Sequence, residues 1–285
     1  MRYMAPSTLD EAAGALAAAN GAGRILAGGT DLLVQMRAGV VSPGVIIDVK
    51  KIAEMTTIEA VGGGFRIGAA VSGAVVGEHA ALRQAWPGVV EAINLIGSKQ
   101  IQGRASAGGN LCNASPAADS VPALVAAAAT VTIHGPKGRR EVPVEKIHAG
   151  PGRTTLERGE IVVSFTLPPR APGSADAYLR LIPRTEMDIA VVGCGVNLTV
   201  QGGTCTSARV GLGAVAPTVL LVEDAAQALI GSRLDDKALD AAAAACRAVC
   251  KPINDKRGTI AYRTKIAGVL LKRATAIALE RAGRH

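Results

Sequence analysis

The sequence predicts an α+β protein: a small parallel α/β unit, a mainly antiparallel α+β region, and a C-terminal domain made of a three-stranded antiparallel sheet and a three-helix bundle. Three observations predict this. The opening stretch up to Val49 alternates helix, strand, helix and strand, the pattern of a small parallel sheet with covering helices. Between residues 130 and 213, apolar runs of strand length are joined by Gly- and Pro-containing turns. Beyond residue 222, apolar positions recur at helical spacing to the end. The 285 residues are 49% hydrophobic, enough for a substantial core, and the length suits two domains better than one.

Thr8 and Glu11 stand at capping-box spacing before an Ala-rich helix over 11–19, which Asn20-Gly21 stops. A short apolar strand over 24–27 runs straight into Gly28-Gly29-Thr30-Asp31. Leu32, Leu33 and Met36 follow at helical spacing up to Gly39, and 45–49 is the next buried strand. After the turn Gly62-Gly63-Gly64 comes a strand over 65–70, then helices over 73–82 and 87–96. Residues 97–120 differ in kind. Small and polar residues dominate there with no period of 2 or 3.6, which predicts a functional loop wrapped closely round something. Strands over 130–134 and 139–144 form a hairpin about Gly135-Pro136-Lys137-Gly138, and a strand over 161–167 ends at Pro168-Pro169. The Pro- and Gly-rich stretch 168–174 predicts an exposed linker and a domain boundary. Antiparallel strands over 177–182, 189–200 and 205–213 follow, then helices over 222–230, 236–250 and 259–282.

Composition excludes several functions. The net charge is +8, but the basic residues are dispersed and aromatics make up 2%, so no stacking platform for nucleic acid forms. The excess charge suits docking to an acidic partner. No apolar run reaches the roughly 18–20 residues of a membrane span, and the start lacks a signal peptide's apolar segment. A cytoplasmic protein with no transmembrane segment is expected. The five cysteines form no CxxC pair; Cys246 and Cys250, four apart on a predicted helix, are read as buried thiols, and no metal site is expected in this chain. His79, His134, His148 and His285 are scattered, without a nucleophile motif or paired carboxylates, so they are read as structural or solvated and no catalytic residue is assigned. Glu223-Asp224 and Asp235-Asp236 lie at predicted helix starts, where the helix dipole accounts for them.

Two glycine-rich segments carry the chemistry: Ala27-Gly28-Gly29-Thr30-Asp31 and Ser106-Ala107-Gly108-Gly109-Asn110. Without a Cβ the backbone can approach a ligand closely, and consecutive N–H groups in a tight turn make a nest for phosphate oxygens. Neither segment fits GxGxxG or GxxxxGK[ST]. Together they suit a diphosphate, whose two anionic groups can be clasped from both sides.

Taken in chain order, these segments, the Asn-Leu-Cys-Asn-Ala-Ser-Pro-Ala-Ala-Asp that follows the second, Gly150-Pro151-Gly152-Arg153-Thr154, Gly159-Glu160-Ile161, the run from Pro183 to Ala190 and Tyr262-Arg263-Thr264-Lys265 resemble the FAD-binding medium subunits of the xanthine dehydrogenase and carbon monoxide dehydrogenase family of molybdenum hydroxylases. The resemblance implies a two-part FAD-binding domain of the PCMH type over 1–170, with subdomains of about 1–55 and 56–170, and a carbon monoxide dehydrogenase flavoprotein type domain over 175–285. It further implies FAD on this chain, a molybdenum cofactor on a large partner and two 2Fe-2S clusters on a small partner, assembled as a dimer of heterotrimers.

By the same resemblance Ile25, Leu26, Ala27, Gly28, Gly29, Thr30, Asp31 and Leu32 run along the FAD diphosphate and ribityl chain. Ala105, Ser106, Gly108, Gly109 and Asn110 close over the diphosphate, with Asn113 nearby. Asp119 corresponds to an acidic position that accepts from a ribose hydroxyl; from the residues alone it equally reads as a helix N-cap before Val121. Ile96 and Ile101 line the flavin or adenine pocket, and Ile161 and Val162 meet the adenine. Arg180 falls near the flavin pyrimidine ring, although a solvated surface arginine is its ordinary reading. Ile189 falls where some relatives place a tyrosine against the isoalloxazine. Ser106-Ala107 replaces the commoner Thr-Ile, which predicts looser packing without loss of FAD. No cysteine group for a further iron–sulfur cluster is present. The rival readings are a stand-alone flavin reductase resembling the enolpyruvyl-glucosamine reductases, for which no proton donor is found, and a flavin-free assembly subunit, which the intact glycine segments count against.

Overall fold

A computed structural model describes residues 1–283. The chain enters as β1 (Arg2–Met4), a strand too short to show a period and not anticipated from the sequence. Thr8 then caps α1 (Leu9–Ala18), its Oγ1 accepting the Glu11 N–H, and the chain turns at Asn20 and Gly21, both at positive φ. β2 (Gly23–Leu26), α2 (Leu32–Arg37) and β3 (Val45–Asp48) complete a three-stranded sheet in the order β1-β3-β2, parallel throughout. Its carboxyl edge carries Ala27-Gly28-Gly29, the position where open α/β sheets bind ligands.

After α3 (Ala53–Thr56), β4 (Ile58–Val61) and β5 (Gly64–Gly68) pair about Gly62-Gly63. β4 is an exposed edge whose sequence carries no buried alternation, which is why it was not legible. The helix expected over 73–82 is two helices, α4 (Gly73–Glu78) and α5 (Ala80–Ala85). His79 breaks it: its backbone is extended and its Nδ1 accepts the Leu82 N–H, capping α5. α6 (Pro87–Ile93) follows. The stretch 97–120 is not the structureless loop expected. It holds α7 (Lys99–Gln102) and α8 (Ala107–Cys112), each too short and too rich in small or polar residues to show a helical period, and Ser106 Oγ caps α8 by accepting the Gly109 N–H at 3.1 Å.

α9 (Ser120–Ala126) is buried along its whole length. β6 (Thr130–Gly135) and β7 (Gly138–Pro143) form the expected hairpin, β8 (His148–Gly150) and β9 (Arg153–Thr154) a small ribbon missed by sequence reading, and β10 (Ile161–Leu167) the centre of a sheet ordered β4-β5-β10-β6-β7, antiparallel at each pairing. The stretch after β10 has no buried residue, as expected of an exposed linker, but Arg170 pins it: its guanidinium stacks 3.9 Å over Trp86 and donates to Ala85 O, Asn197 Oδ1 and Asp176.

The C-terminal sheet has four strands where three were expected: β11 (Ser174–Leu181), β12 (Val192–Gln201), β13 (Thr204–Gly213) and the two-residue edge β14 (Leu220–Leu221). β12 begins at Val192 and not at Ile189, because Asp188 Oδ1 accepts the Ile189 N–H in an irregular turn. α10 (Glu223–Leu229), α11 (Asp236–Ala248) and α12 (Ile260–Ala282) close the chain. Strand alternation divides this sheet's faces. Cys194, Val196, Val210 and Leu212 enter the core shared with α10–α12, whereas Gly195 and Gly211, paired across the strands, turn a bare backbone to Pro122 of α9. Among the described residues no helix is long and apolar enough to cross a membrane.

Candidate functional site

A cleft of about 390 Å³ opens where the turn after β2, the start of α8 and the β9–β10 region meet. Ile25, Ala27, Gly28, Gly29, Thr30, Asp31, Leu32, Ile96, Ala105, Ser106, Gly108, Gly109, Asn110, Asn113, Ile161 and Val162 line it, so both glycine segments converge on one space. Leu26, Ile101, Asp119, Arg180 and Ile189 do not. Leu26 is buried beneath Gly29, Ile101 packs on Gly97, and Ile189 lies 53% exposed elsewhere. Gln35, Met55, Cys112, Thr154 and Glu160 also line the cleft, beyond the residues the sequence predicts for it. Cys112, Thr154 and Glu160 had a signal, since all three fall inside the motifs that carried the resemblance, whereas Gln35 and Met55 had none.

The first turn is shaped by contacts only glycine permits. A Cβ on Gly28 would stand 1.8 Å from the Arg104 carbonyl oxygen, so Gly28 is what allows the first glycine segment to touch the backbone just ahead of the second, and Gly29 sits at φ +78°. Leu33 N–H returns to Gly29 O, but among the described residues the N–H groups of Gly28, Gly29, Thr30 and Asp31 have no protein acceptor. Gly28, Gly29 and Thr30 are half-buried and Asp31 is exposed, and half-buried amide donors ordinarily find a partner. A row of four at the edge of a cleft fits the phosphate oxygens of a dinucleotide.

The second turn works differently from the expected symmetric nest. Gly108 N–H is taken by Ala69 O and Gly109 N–H by Ser106 Oγ, so the glycines here contribute room and not donors. A Cβ on Gly109 would meet only Ser106 Oγ, at 3.3 Å. Asn110 Oδ1 accepts from Ser120 Oγ at 2.7 Å and Ser120 N–H at 3.2 Å, which leaves its amide N–H groups as the donors of this side. Asn113 ties the two sides together, accepting from Gln35 Nε2 at 3.0 Å and donating to Asp31 Oδ1 at 3.4 Å. Burial raises the Asp31 carboxyl above its ordinary range. Cys112 reaches solvent through the cleft yet is ringed by protein, and desolvation pushes its thiol up to about 12. It stays protonated at neutral pH.

Asp119 is corrected on one count and Arg180 on another. Asp119 stands at the N-cap position of α9 but its carboxylate makes no capping bond and instead accepts from Tyr178 Oη at 3.1 Å and Arg180 Nη1 at 2.6 Å. Arg180 is no solvated surface residue, its side chain being 5% exposed. Burial pushes the Asp119 carboxyl up to about 6, against the opposing pull of Arg180 and Tyr178. The histidines are structural: His79 caps α5, His134 Nε2 lies 2.8 Å from Asp10, and His148 Nε2 bonds Leu111 O, with burial lowering the His148 pKa. His285 lies outside the described residues.

Residues 1–170 match the family described as the FAD binding domain in molybdopterin dehydrogenase, and residues 177–278 match the CO dehydrogenase flavoprotein C-terminal domain. The carbon monoxide dehydrogenase medium chain of Hydrogenophaga pseudoflava is 34% identical over 95% of this chain and 94% of its own length. The xanthine dehydrogenase FAD-binding subunit of Escherichia coli O157:H7 is 30% identical over 99% of this chain and 97% of its own. A solved structure of reconstituted CO dehydrogenase from Oligotropha carboxidovorans superposes with a TM-score of 0.95 at 33% identity, covering 99% of this chain and 98% of that one. With both glycine turns lining one cleft and relatives of at least 30% identity over nearly its whole length, the chain belongs to the molybdopterin dehydrogenase FAD-binding family, with the C-terminal domain of the CO dehydrogenase flavoproteins.

Proposed function

We propose that this chain is the FAD-carrying electron-transfer subunit of a heteromeric molybdenum hydroxylase in the cytoplasm. A large partner holds the molybdenum cofactor, a small partner relays electrons through two 2Fe-2S clusters, and the assembly is a dimer of heterotrimers. The observation that carries the reading is that the N–H groups of Gly28, Gly29, Thr30 and Asp31 have no protein acceptor among the described residues, in a turn that lines the same cleft as the start of α8. Relatives over nearly the whole chain are a carbon monoxide dehydrogenase medium chain and a xanthine dehydrogenase FAD-binding subunit, which supports it.

In this reading Ala27 to Leu32 hold the diphosphate and ribityl chain from one side, and Ser106, Gly109 and Asn110 admit it from the other. Ile161 and Val162 border the adenine. The FAD domain spans 1–170, as subdomains of about 1–55 and 56–170, and the C-terminal domain 175–285. Asp119 and Arg180 act from behind the cleft, tying the start of α9 to β11. When bound, FAD supplies the redox chemistry, accepting electrons one at a time and releasing them singly or as a pair. The polypeptide binds, orients and shields it, and the isolated subunit hydroxylates nothing. The test is the visible absorption spectrum of the freshly isolated native complex with mass spectrometry of its subunits. Flavin bands on this chain, with molybdenum and iron–sulfur partners co-isolated, are expected. A colourless chain that takes up no added FAD overturns the reading.

A further inference from the structure

The three-stranded parallel sheet carries a chain of polar contacts across its carboxyl edge, leading to the free N–H row. Tyr3 of β1 donates its hydroxyl to Asp48 Oδ2 at 2.7 Å. Asp48, at the end of β3 and 9% exposed, accepts on Oδ1 from the Lys50 ammonium at 2.6 Å and the Lys50 N–H at 3.0 Å. Lys50 Nζ then donates to the carbonyl oxygen of Ala27 at 3.0 Å. Burial alone would raise the Asp48 pKa, but Lys50 and Tyr3 hold the carboxyl below its ordinary range, so it remains a fixed anion behind the ammonium.

The geometry of the peptide bond turns this into a statement about the cleft. The Ala27 carbonyl and the Gly28 N–H belong to one planar trans unit, so the two groups point in opposite directions. Fixing the oxygen fixes the direction of the Gly28 N–H, the first of the unpartnered donors. A cation on the oxygen also polarises the amide and strengthens that donor.

We propose that Lys50, backed by Asp48 and Tyr3, is a positioning residue that aims and polarises the Gly28 N–H and thereby favours a diphosphate-bearing flavin over riboflavin, which carries no phosphate. The inference rests on the reading of the cleft as an FAD site. Lys50 itself does not line the cleft, so its effect passes through the Ala27–Gly28 peptide.

Equilibrium binding of FAD, ADP and riboflavin to the full-length chain stripped of flavin tests it, with the thermal midpoint of each variant as control. Lys50→Met weakens FAD and ADP by about tenfold, the scale of one lost charge-assisted hydrogen bond, and leaves riboflavin unchanged. Lys50→Arg, which keeps the cation and a donor, recovers most of the loss. Tyr3→Phe, one link further back, weakens FAD and ADP by about twofold to threefold and carries the test if Lys50→Met does not fold. Unchanged FAD affinity in both variants overturns the proposal while the FAD site stands. A parallel fall in riboflavin affinity overturns it too, since that marks a structural role only. A wild-type chain that binds neither FAD nor ADP removes the FAD reading and this inference together.

Discussion

Asp119 and Arg180 bury opposite charges 2.6 Å apart between the start of α9 and β11, a bond that sequence reading could not find because the partners are 61 residues apart. Position 119 was legible as an acid worth holding and position 180 as a cation, but their pairing requires knowing that α9 packs on the C-terminal sheet. Removing one partner strands the other in low dielectric. The folded Asp119 carboxyl titrates at about 6, above its unfolded value. Its contribution is therefore most favourable below the unfolded carboxylate pKa and is lost as pH rises through 6. Arg180→Met removes a charge that lowers this pKa and extends the window upward. Urea unfolding of the full chain is expected to show a loss of about 3 kcal/mol at pH 8 and a distinctly smaller loss at pH 5. Equal losses at the two pH values contradict the pairing. The glycines were the most legible residues, because a missing Cβ is a property of the residue itself. Which of them donate and which only make room was not, since Gly108 and Gly109 spend their N–H groups on Ala69 and Ser106.

At the scale of elements, long periodic segments were readable and short ones were not. α12 and the β6–β7 hairpin announce themselves through period and turn chemistry. α7, α8, β1, β9 and β14 have two to six residues each, too few for a period, and they include the α8 turn that makes one wall of the cleft. Ser106 shows how a local signal serves function. Its Oγ caps α8 as Asp235 Oδ1 caps α11, at 3.1 Å and 2.9 Å. Ser106→Ala and Asp235→Ala should each cost about 1 kcal/mol in urea unfolding. Only Ser106→Ala should also weaken FAD, because it frees the Gly109 N–H and loosens the wall that faces the diphosphate. Equal FAD affinities in the two variants would mean that α8 does not shape the site.

For the whole molecule, α9 is the part on which both halves close. It is fully buried, its upstream end is bonded through Ser120 to Asn110 in the cleft, and its Pro122 rests on the glycine row of the C-terminal sheet. Glycine at alternate positions of two paired strands was visible in Gly193-Cys194-Gly195 and Gly211-Leu212-Gly213, a signal for close backbone approach that sequence reading passed over. A Cβ on Gly211 would meet Pro122 O at 2.3 Å. Gly211→Ala, ordinarily mild in a strand, is therefore expected to cost about 1–3 kcal/mol by overpacking, read from the urea midpoint of the full chain. A neutral or stabilising result contradicts the tight seating of α9.

The most direct test of the central claim, that a dinucleotide is held at its diphosphate between two glycine turns, is FAD binding by Gly109→Val. The new Cβ approaches only the Ser106 Oγ, at 3.3 Å, which has to give by a few tenths of an ångström, and the branched side chain should occupy the diphosphate path. The account predicts a variant with near-native thermal stability and FAD affinity lower by about a hundredfold or more. A Gly109→Val chain that purifies with its full complement of flavin contradicts it.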